Sequence, residues 1–252
     1  MDPTFLGVDG WTFAALAVAP MLTNFLGVTL GAAGGLLLLA VMALVFPPAV
    51  LIPVHTVVQL GSVTTRTMMM WRWIMRGTLL PFLAGAVLGA AAGAQIFVAL
   101  PTAALQGILG AFILVVAWLP RLARAGGQRR RFALMGFGAT FLGVFVSATG
   151  TLLTPFVAAA SPSRHNYAAT FSALMFILHL SKLAAFGALG IAIGAYLPLM
   201  AAMIAFAAAG NWLGRHALDR MPERLFRIVL KTVLSVLALR LLWVAARNAG
   251  WI

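Results

Sequence analysis

Residues 79–120 read LLPFLAGAVLGAAAGAQIFVALPTAALQGILGAFILVVAWLP and contain no charged side chain. Residues 132–163 form a second run without any charge. Each run is longer than the roughly 20 apolar residues that cross a bilayer as an α-helix. These two stretches decide the fold class, and we expect an all-α polytopic membrane protein.

The composition of the whole chain agrees with this fold class. Of its 252 residues, 63% are hydrophobic and 8% are charged, whereas soluble domains carry about 25% charged residues. A water-soluble enzyme and a disordered chain are therefore excluded. We expect a single membrane domain, residues 1–252, surrounded by the lipid bilayer. Residues 1–10 lack the basic start of a secretory signal peptide.

The net charge of +13 is confined to short segments between the apolar runs. Cytoplasmic loops of membrane proteins collect Lys and Arg in this way, so we predict no nucleic-acid partner. The chain has no cysteine, which excludes disulfides and thiolate metal sites. We expect no cofactor.

An internal repeat divides the chain. The tetrapeptide Phe25-Leu26-Gly27-Val28 recurs 116 residues later as Phe141-Leu142-Gly143-Val144. Further residues correspond in order, first at the same spacing and then at a spacing of 121: Gly34 and Gly150, Arg66 and Lys182, Gly89 and Gly210, Gly93 and Gly214, Pro101 and Pro222. We predict two homologous halves, 11–120 and 132–246, joined by a basic cytoplasmic linker at 121–131.

The distribution of arginine predicts the orientation of the two repeats. The most basic segments, expected in the cytoplasm, are 66–76, 121–131 and 215–227, and the uncharged connections are expected outside. The equivalent residues Pro101 and Pro222 then lie on opposite sides of the membrane. Such a relation is typical of inverted-topology repeats.

Inversion requires that each repeat opens with a broken or re-entrant helix pair. We expect the first apolar run, Trp11 to Phe46, to be interrupted at Pro20 and to break into two short helices at 31–35. Its counterpart is expected to break at 147–151. The alternative is four plain spans in each half with parallel repeats.

The two breaks have two interpretations. Small residues recur every four positions at Gly27, Gly31 and Gly35, a spacing that lets helices pack closely. Alternatively the chain unwinds there, and the free N–H groups of a new helix amino terminus bind an anion in the membrane. Hydroxyl donors at the second break favour the second interpretation: Thr149, Thr151 and Thr154.

The run that follows the first break carries a polar stripe. His55, Gln59, Ser62 and Arg66 have the spacing of one helix face, which should point to the bundle interior or a wet cavity. In the second half Ser172, His179 and Lys182 lie along a comparable face. Arg66 could instead extend to the headgroups, and both histidines could serve helix packing.

No acidic residue falls inside an apolar run; the four acids are Asp2, Asp9, Asp219 and Glu223. Cation transport normally needs a carboxylate within the membrane. An anion carrier needs cations and N–H donors, which this chain has. Since no carboxylate can orient a catalytic histidine, we do not expect an enzyme.

These residues resemble a known family. The break at 31–35, the stretch Pro53-Val54-His55-Thr56-Val57-Val58-Gln59-Leu60-Gly61-Ser62 leading to Arg66, and the counterpart from Ala169 to Lys182 are similar to the TauE/SafE sulfite exporters, or TSUP permeases. The resemblance covers nearly the whole chain. Its diagnostic part is the repeat that pairs Arg66 with Lys182.

The resemblance implies a secondary transporter, usually an exporter, of small sulfur-containing oxyanions such as sulfite, thiosulfate or organosulfonates. It also implies the bacterial inner membrane as the location. Together with the polar pattern, it predicts an oxyanion bound at mid-membrane between the halves, with alternating access. The expected substrate-binding residues are Gly34, Gly35, His55, Gln59, Ser62, Arg66, Thr149, Gly150, Thr151, Ser172, His179 and Lys182.

Two other function classes stay open at this point. A passive anion channel could use the same residues. A membrane scaffold without a substrate is the second class, although it would not need a polar stripe. The residues leave open which anion is moved, which ion is coupled to it, and whether copies of the chain form a homo-oligomer.

Overall fold

The structure, a computed structural model, describes residues 8–30, 34–118, 128–147, 149–217 and 223–250. Within these ranges the chain is helical almost throughout and contains no strand. The described α-helices are α1 (Gly10–Leu30), α2 (Gly34–Met42), α3 (Pro48–Met69), α4 (Leu79–Ala99), α5 (Thr102–Trp118), α6 (Gln128–Val146), α7 (Gly150–Ala160), α8 (Arg164–Ala188), α9 (Leu197–Ala217) and α10 (Glu223–Asn248). Single 3-10 turns lie at Trp71–Trp73, Arg76–Thr78 and Gly194–Tyr196.

The prediction of a polytopic all-α membrane protein is confirmed. Four segments of the described chain are long and apolar enough to cross a membrane: Pro48–Met68, Arg76–Ala99, His165–Ala188 and Gly194–Leu213. Gly10–Leu26 and Thr102–Ala111 are shorter apolar helices. Most of the basic linker at 121–131, together with residues 31–33 and 148 of the two breaks, lies outside the described residues.

The helix pairs at the two breaks differ from the expectation in their lengths. Only the second member of each pair is short, with 9 residues in α2 and 11 in α7. The first members, α1 and α6, have 21 and 19 residues, or about 30 Å of helix at 1.5 Å per residue. A helix can continue into charged sequence because its backbone bonds do not depend on hydropathy. Accordingly α6 begins at Gln128, ahead of its apolar run.

Pro20 does not interrupt α1, contrary to the expectation. Membrane helices tolerate proline because hydroxyl side chains and neighbouring helices satisfy freed backbone groups. Pro20 removes the N–H that would bond the Leu16 carbonyl oxygen; Leu16 is buried, and α1 packs against α2 and α9. Proline alone is therefore a poor sign of a helix end in this chain.

The described helices form two compact units. The first unit contains Met1–Val58, Pro101–Leu119 and Ala192–Ile252. In it α1 packs against α9 and α2, and α5 packs against α10. The Nδ2 of Asn248 donates to Oε1 of Gln106 at 2.8 Å, which joins α10 to α5.

The second unit contains Gln59–Leu100 and Pro120–Ile191. In it α4 packs against α6 and α8, and α7 packs against α8. Its apolar core includes Phe82, Phe132, Leu153, Leu174 and Leu178, all of them buried. This core fixes the positions of the helices that carry the polar groups described below.

Glycines allow the closest helix contacts in both units. In the second unit a Cβ added at Gly85 would overlap the carbonyl oxygen of Ala133, and one at Gly89 would overlap that of Phe137. In the first unit a Cβ at Gly210 would overlap the carbonyl oxygen of Met21. These glycines serve helix packing, as small residues do in membrane interfaces.

Candidate functional site

The break between α6 and α7 has an unusual backbone. Ser147 follows the last residue of α6 with a φ of 54°, and it is the only non-glycine residue with positive φ in the described ranges. Its N–H still donates to the Gly143 carbonyl oxygen at 2.8 Å. A left-handed conformation costs a residue with a Cβ about 1–2 kcal/mol. Strain of this kind is concentrated at functional sites.

Lys182 on α8 reaches this break. Its Nζ donates to the Oγ of Ser147 at 3.0 Å, and the lysine is 0% exposed. The hydrogen bond uses one of the three donors of the ammonium group. None of the four acids of the sequence falls in α6, α7 or α8. A buried ammonium without a carboxylate favours an anionic ligand, because burial of an uncompensated charge is costly.

Thr149 places a second hydroxyl beside the same break. It occupies the N-cap position of α7 but makes no capping hydrogen bond with its side chain. Thr149 is 0% exposed, and its Oγ1 has no hydrogen-bond partner among the described residues. The Leu152 N–H donates to the Thr149 carbonyl oxygen at 3.0 Å, whereas the N–H groups of Gly150 and Thr151, which begin α7, have no earlier carbonyl within the helix to bond.

The side chains of Lys182 and Thr149 both approach Gly143 on α6. A Cβ built at Gly143 would lie 3.2 Å from Oγ1 of Thr149 and 3.6 Å from Cδ of Lys182. The lysine stem and the threonine hydroxyl thus approach the same point on α6. The polar end of the cluster is the Lys182 ammonium and the hydroxyl of Ser147, which precedes Gly150, the first residue of α7, by three positions in the sequence.

The other predicted residues of the second half lie on α7 and α8. His179 is buried one helical turn from Lys182, on the same side of α8. Ser172 is buried, but its hydroxyl donates to the Ala168 carbonyl oxygen at 2.8 Å, so its proton is used locally. The Thr154 hydroxyl likewise donates to the Gly150 carbonyl oxygen at 3.0 Å. The side chain of Thr151 lies outside the described residues.

The first break has a different set of contacts. His55 is fully buried, and its Nε2 lies 2.9 Å from the carbonyl oxygen of Gly35. Since a carbonyl only accepts, Nε2 carries the proton in this bond. Gly34 and Gly35 begin α2, so His55 holds the first turn of this short helix.

The polar stripe on α3 keeps the predicted spacing, because α3 is one continuous helix. Ser62 is buried, whereas Gln59 and Arg66 are half-buried. Gly34, Gly35 and His55 belong to the first compact unit, and the other predicted site residues belong to the second. The contacts described here thus join Lys182 to the second break and His55 to the first.

Ser147 contacts Lys182 but is absent from the list of expected substrate-binding residues. One indication of its role was available in the sequence, because Ser147 occupies the position at which the first repeat has Gly31. Its partner Lys182 lies 35 residues away in sequence, a separation that no helical spacing suggests. No cluster of three or more His, Cys, Asp or Glu residues that could hold a metal ion occurs in the described part of the chain.

Comparison with known proteins places these observations in a family. The sequence model described as Sulfite exporter TauE/SafE matches residues 16–241, which is most of the chain. Neither a curated protein nor a solved structure was found to match. The match spans both breaks, the stripe on α3 and the Lys182 cluster.

Proposed function

Since the chain belongs to the TauE/SafE sulfite exporter family, we propose that it is a secondary transporter that exports a small sulfur-containing oxyanion. Sulfite, thiosulfate and organosulfonates are the candidate substrates, and the bacterial inner membrane is the proposed location. One observation carries the proposal: a fully buried ammonium, that of Lys182, donates to Ser147 at the amino end of a short helix.

The chemistry of this cluster matches a small oxyanion. The ammonium supplies positive charge, the unpartnered Thr149 hydroxyl supplies a donor, and the first turn of α7 supplies N–H groups and the positive end of the helix dipole. An oxyanion has several acceptor oxygens that can use these donors together. We assign Thr149, Gly150, Thr151 and Lys182 to direct binding, with Ser147 added.

The remaining predicted residues have supporting roles in this proposal. His55 fixes the start of α2 through Gly35, so it positions the N–H groups at Gly34. Gln59, Ser62 and Arg66 follow on the same helix face and offer donors to the passing anion. His179 and Ser172 line α8 on the approach to Lys182.

Helix boundaries support the proposed repeat of 11–120 and 132–246. At a spacing of 116, the ends of α1 and α6 correspond at Leu30 and Val146, and the starts of α2 and α7 correspond at Gly34 and Gly150. The starts of α3 and α8 correspond at the same spacing, and those of α5 and α10 at a spacing of 121. Two copies of one five-helix unit would have these boundaries.

The packing glycines provide a second argument for the repeat. Gly89 and Gly210 are equivalent at a spacing of 121, and their contact residues Phe137 and Met21 are equivalent at a spacing of 116. The same contact is therefore made twice, each time between helices from different repeats. Inverted repeats that pack in this way permit two opposite conformations, which is the structural basis of alternating access.

The proposal is tested by flux into proteoliposomes with sulfite, thiosulfate, sulfoacetate, sulfate and chloride. Saturable uptake of a sulfur oxyanion with counterflow, while chloride is inert, is the expected result. Large single-channel currents would instead indicate a passive channel. If none of the anions moves although the protein is folded, the proposed substrate class is wrong.

A variant of Lys182 tests the site itself. Lys182→Met keeps the length and loses the charge, so we expect at least a tenfold loss of transport, since hydrogen bonds to charged groups contribute about 1.5–3 kcal/mol. Lys231→Met, which removes the other lysine of the chain, is the matched control. Equal flux in the wild type and Lys182→Met would refute the role of the buried ammonium.

A further inference from the structure

The hydroxyl of Thr140 on α6 makes no hydrogen bond to any residue that the structure describes. The residue is 0% exposed, and Oγ1 has no partner among the described residues. Other helical threonines of this chain donate to the carbonyl oxygen four residues earlier, at 2.7–3.0 Å: Thr56, Thr64, Thr67 and Thr154. That local bond is the usual solution for threonine inside a membrane helix. Thr140 departs from it.

Asn24 on α1 has the same property. It is 7% exposed, and its Nδ2 is buried without a hydrogen-bond partner in the described part of the chain. Asn24 and Thr140 are separated by 116 residues, the spacing that relates the two repeats. Each repeat therefore carries a buried donor without an acceptor at the same helical position.

Thr140 lies on the face of α6 that meets the lysine cluster. Positions 140, 143 and 147 share one side of the helix, and Gly143 and Ser147 contact the surroundings of Lys182. Seven residues separate Thr140 from Ser147, so about 10 Å of helix lies between them. In the first repeat, Asn24 likewise precedes Gly27 by three residues.

A buried donor without a partner destabilises the folded chain. If these positions only packed helices together, valine in place of Thr140 and leucine in place of Asn24 would give a more stable chain, because they have similar shapes and no polar atom. Two such donors at equivalent positions indicate a ligand that supplies the missing acceptor. Buried polar groups of this kind often mark a function that costs stability.

We propose that Asn24 and Thr140 each add a substrate contact within their own compact unit, donating a hydrogen bond to an oxygen of the oxyanion on its way to or from the helix break of that unit. This inference rests on the proposed transport function. Each contact suits ligands with acceptor oxygens, and the two neutral donors add no charge to that of Lys182.

The test compares Thr140→Val and Asn24→Leu with Thr56→Val in proteoliposomes. Thr56 is as buried as Thr140, but its hydroxyl is already bonded to Ile52. We expect Thr140→Val and Asn24→Leu to raise the KM for sulfite about tenfold or more, as expected for a lost hydrogen bond to an anion. Thr56→Val should keep the wild-type KM.

Thermal unfolding in detergent provides the second readout. Thr140→Val should melt at or above the wild-type temperature, because an unsatisfied hydroxyl is replaced by a methyl group of the same shape. Sulfite should raise the melting temperature of the wild type more than that of the variant. Asn24→Thr, which restores a donor with the side chain of the other repeat, should recover transport if Asn24→Leu folds poorly.

Each failure has a distinct meaning. Unchanged KM values in Thr140→Val and Asn24→Leu, with an active wild type, overturn this inference and leave the proposed function intact. A lower melting temperature of Thr140→Val would also overturn it, because the hydroxyl would then have a structural partner. A wild type that neither transports nor is stabilised by sulfite, thiosulfate or sulfoacetate overturns both proposals.

Discussion

The contacts of Gly89 with Phe137 and of Gly210 with Met21 lead to a quantitative prediction. In Gly89→Ala the new methyl group would overlap the carbonyl oxygen of Phe137, and in Gly210→Ala it would overlap that of Met21. Both obstacles are backbone atoms of a packed helix, so a side-chain rotation cannot relieve them. The helices must separate by roughly 1 Å to restore ordinary van der Waals contact.

The change in the free energy of unfolding can be estimated for these two substitutions and compared with that for a glycine that has open space around it. Overpacking costs about 1–3 kcal/mol, against a gain of up to about 1 kcal/mol from the better helix propensity of alanine. We therefore expect Gly89→Ala and Gly210→Ala to destabilise the protein by similar amounts. Gly138→Ala on α6, where a Cβ meets nothing within 4 Å, should be neutral or stabilising.

The assay is thermal unfolding in detergent, followed by sulfite flux at a temperature at which all variants are folded. Matching losses at positions 89 and 210, with none at 138, would agree with one helix contact made twice. If Gly89→Ala were as stable as Gly138→Ala, the close approach of α4 and α6 would be wrong. Unequal losses at 89 and 210 would refute the equivalence of the two contacts.

Three further predictions concern single residues. Ser147→Gly should relieve the positive φ but remove the hydroxyl bonded to Lys182, so we expect normal melting and a higher KM for sulfite, whereas equal KM values would contradict the role of that hydroxyl. Arg66→Lys should weaken transport, because an ammonium lacks the bidentate geometry of a guanidinium for an oxyanion; unchanged flux would remove Arg66 from the site. Asp9 accepts a hydrogen bond from the Thr12 N–H at 3.0 Å, and hydrogen bonds from Thr12 lower the pKa of Asp9 below its usual 3.8. Its capping contribution should therefore be present at neutral pH and be lost as the pH falls below about 4, so melting measured from pH 7 to 3 should lose more in the wild type than in Asp9→Asn, and parallel curves would refute it.

Much of the helical framework was predictable because Gly34, Gly150, Pro48 and Pro101 lie at or next to helix ends, although Pro20 and Pro53 lie inside helices. The break at 147–151 was placed correctly from Gly150 and its repeat relation to Gly34. The lengths of α1 and α6 were not predictable in the same way. Hydropathy reports which residues avoid water, whereas helix length depends on backbone hydrogen bonds that continue through Pro20 and into the basic residues after Gln128.

Residues of the candidate site could be predicted only where the residue type itself indicated a function. Lys182 was predicted because a charged residue deep in an apolar run is costly and is seldom there without a function. The sequence could not distinguish Thr154, whose hydroxyl bonds a carbonyl of its own helix, from Thr149, whose hydroxyl has no partner among the described residues. Both are threonines close to the second break. The contact between Lys182 and Ser147, and the unpartnered donors of Asn24 and Thr140, depend on packing between distant segments.

The arrangement of the two compact units along the chain has a consequence for biosynthesis. The second unit has all its segments once Ile191 is made, whereas the first unit still lacks α9 and α10. The face of α1 at Met21 must wait about 190 residues for Gly210, which is roughly 10–40 s at ordinary rates of translation. When Ile191 has been made, the second unit has all its segments, while α1 can pack against α2 but still lacks α9. Factors that shield exposed helix faces in the bilayer would therefore act on α1.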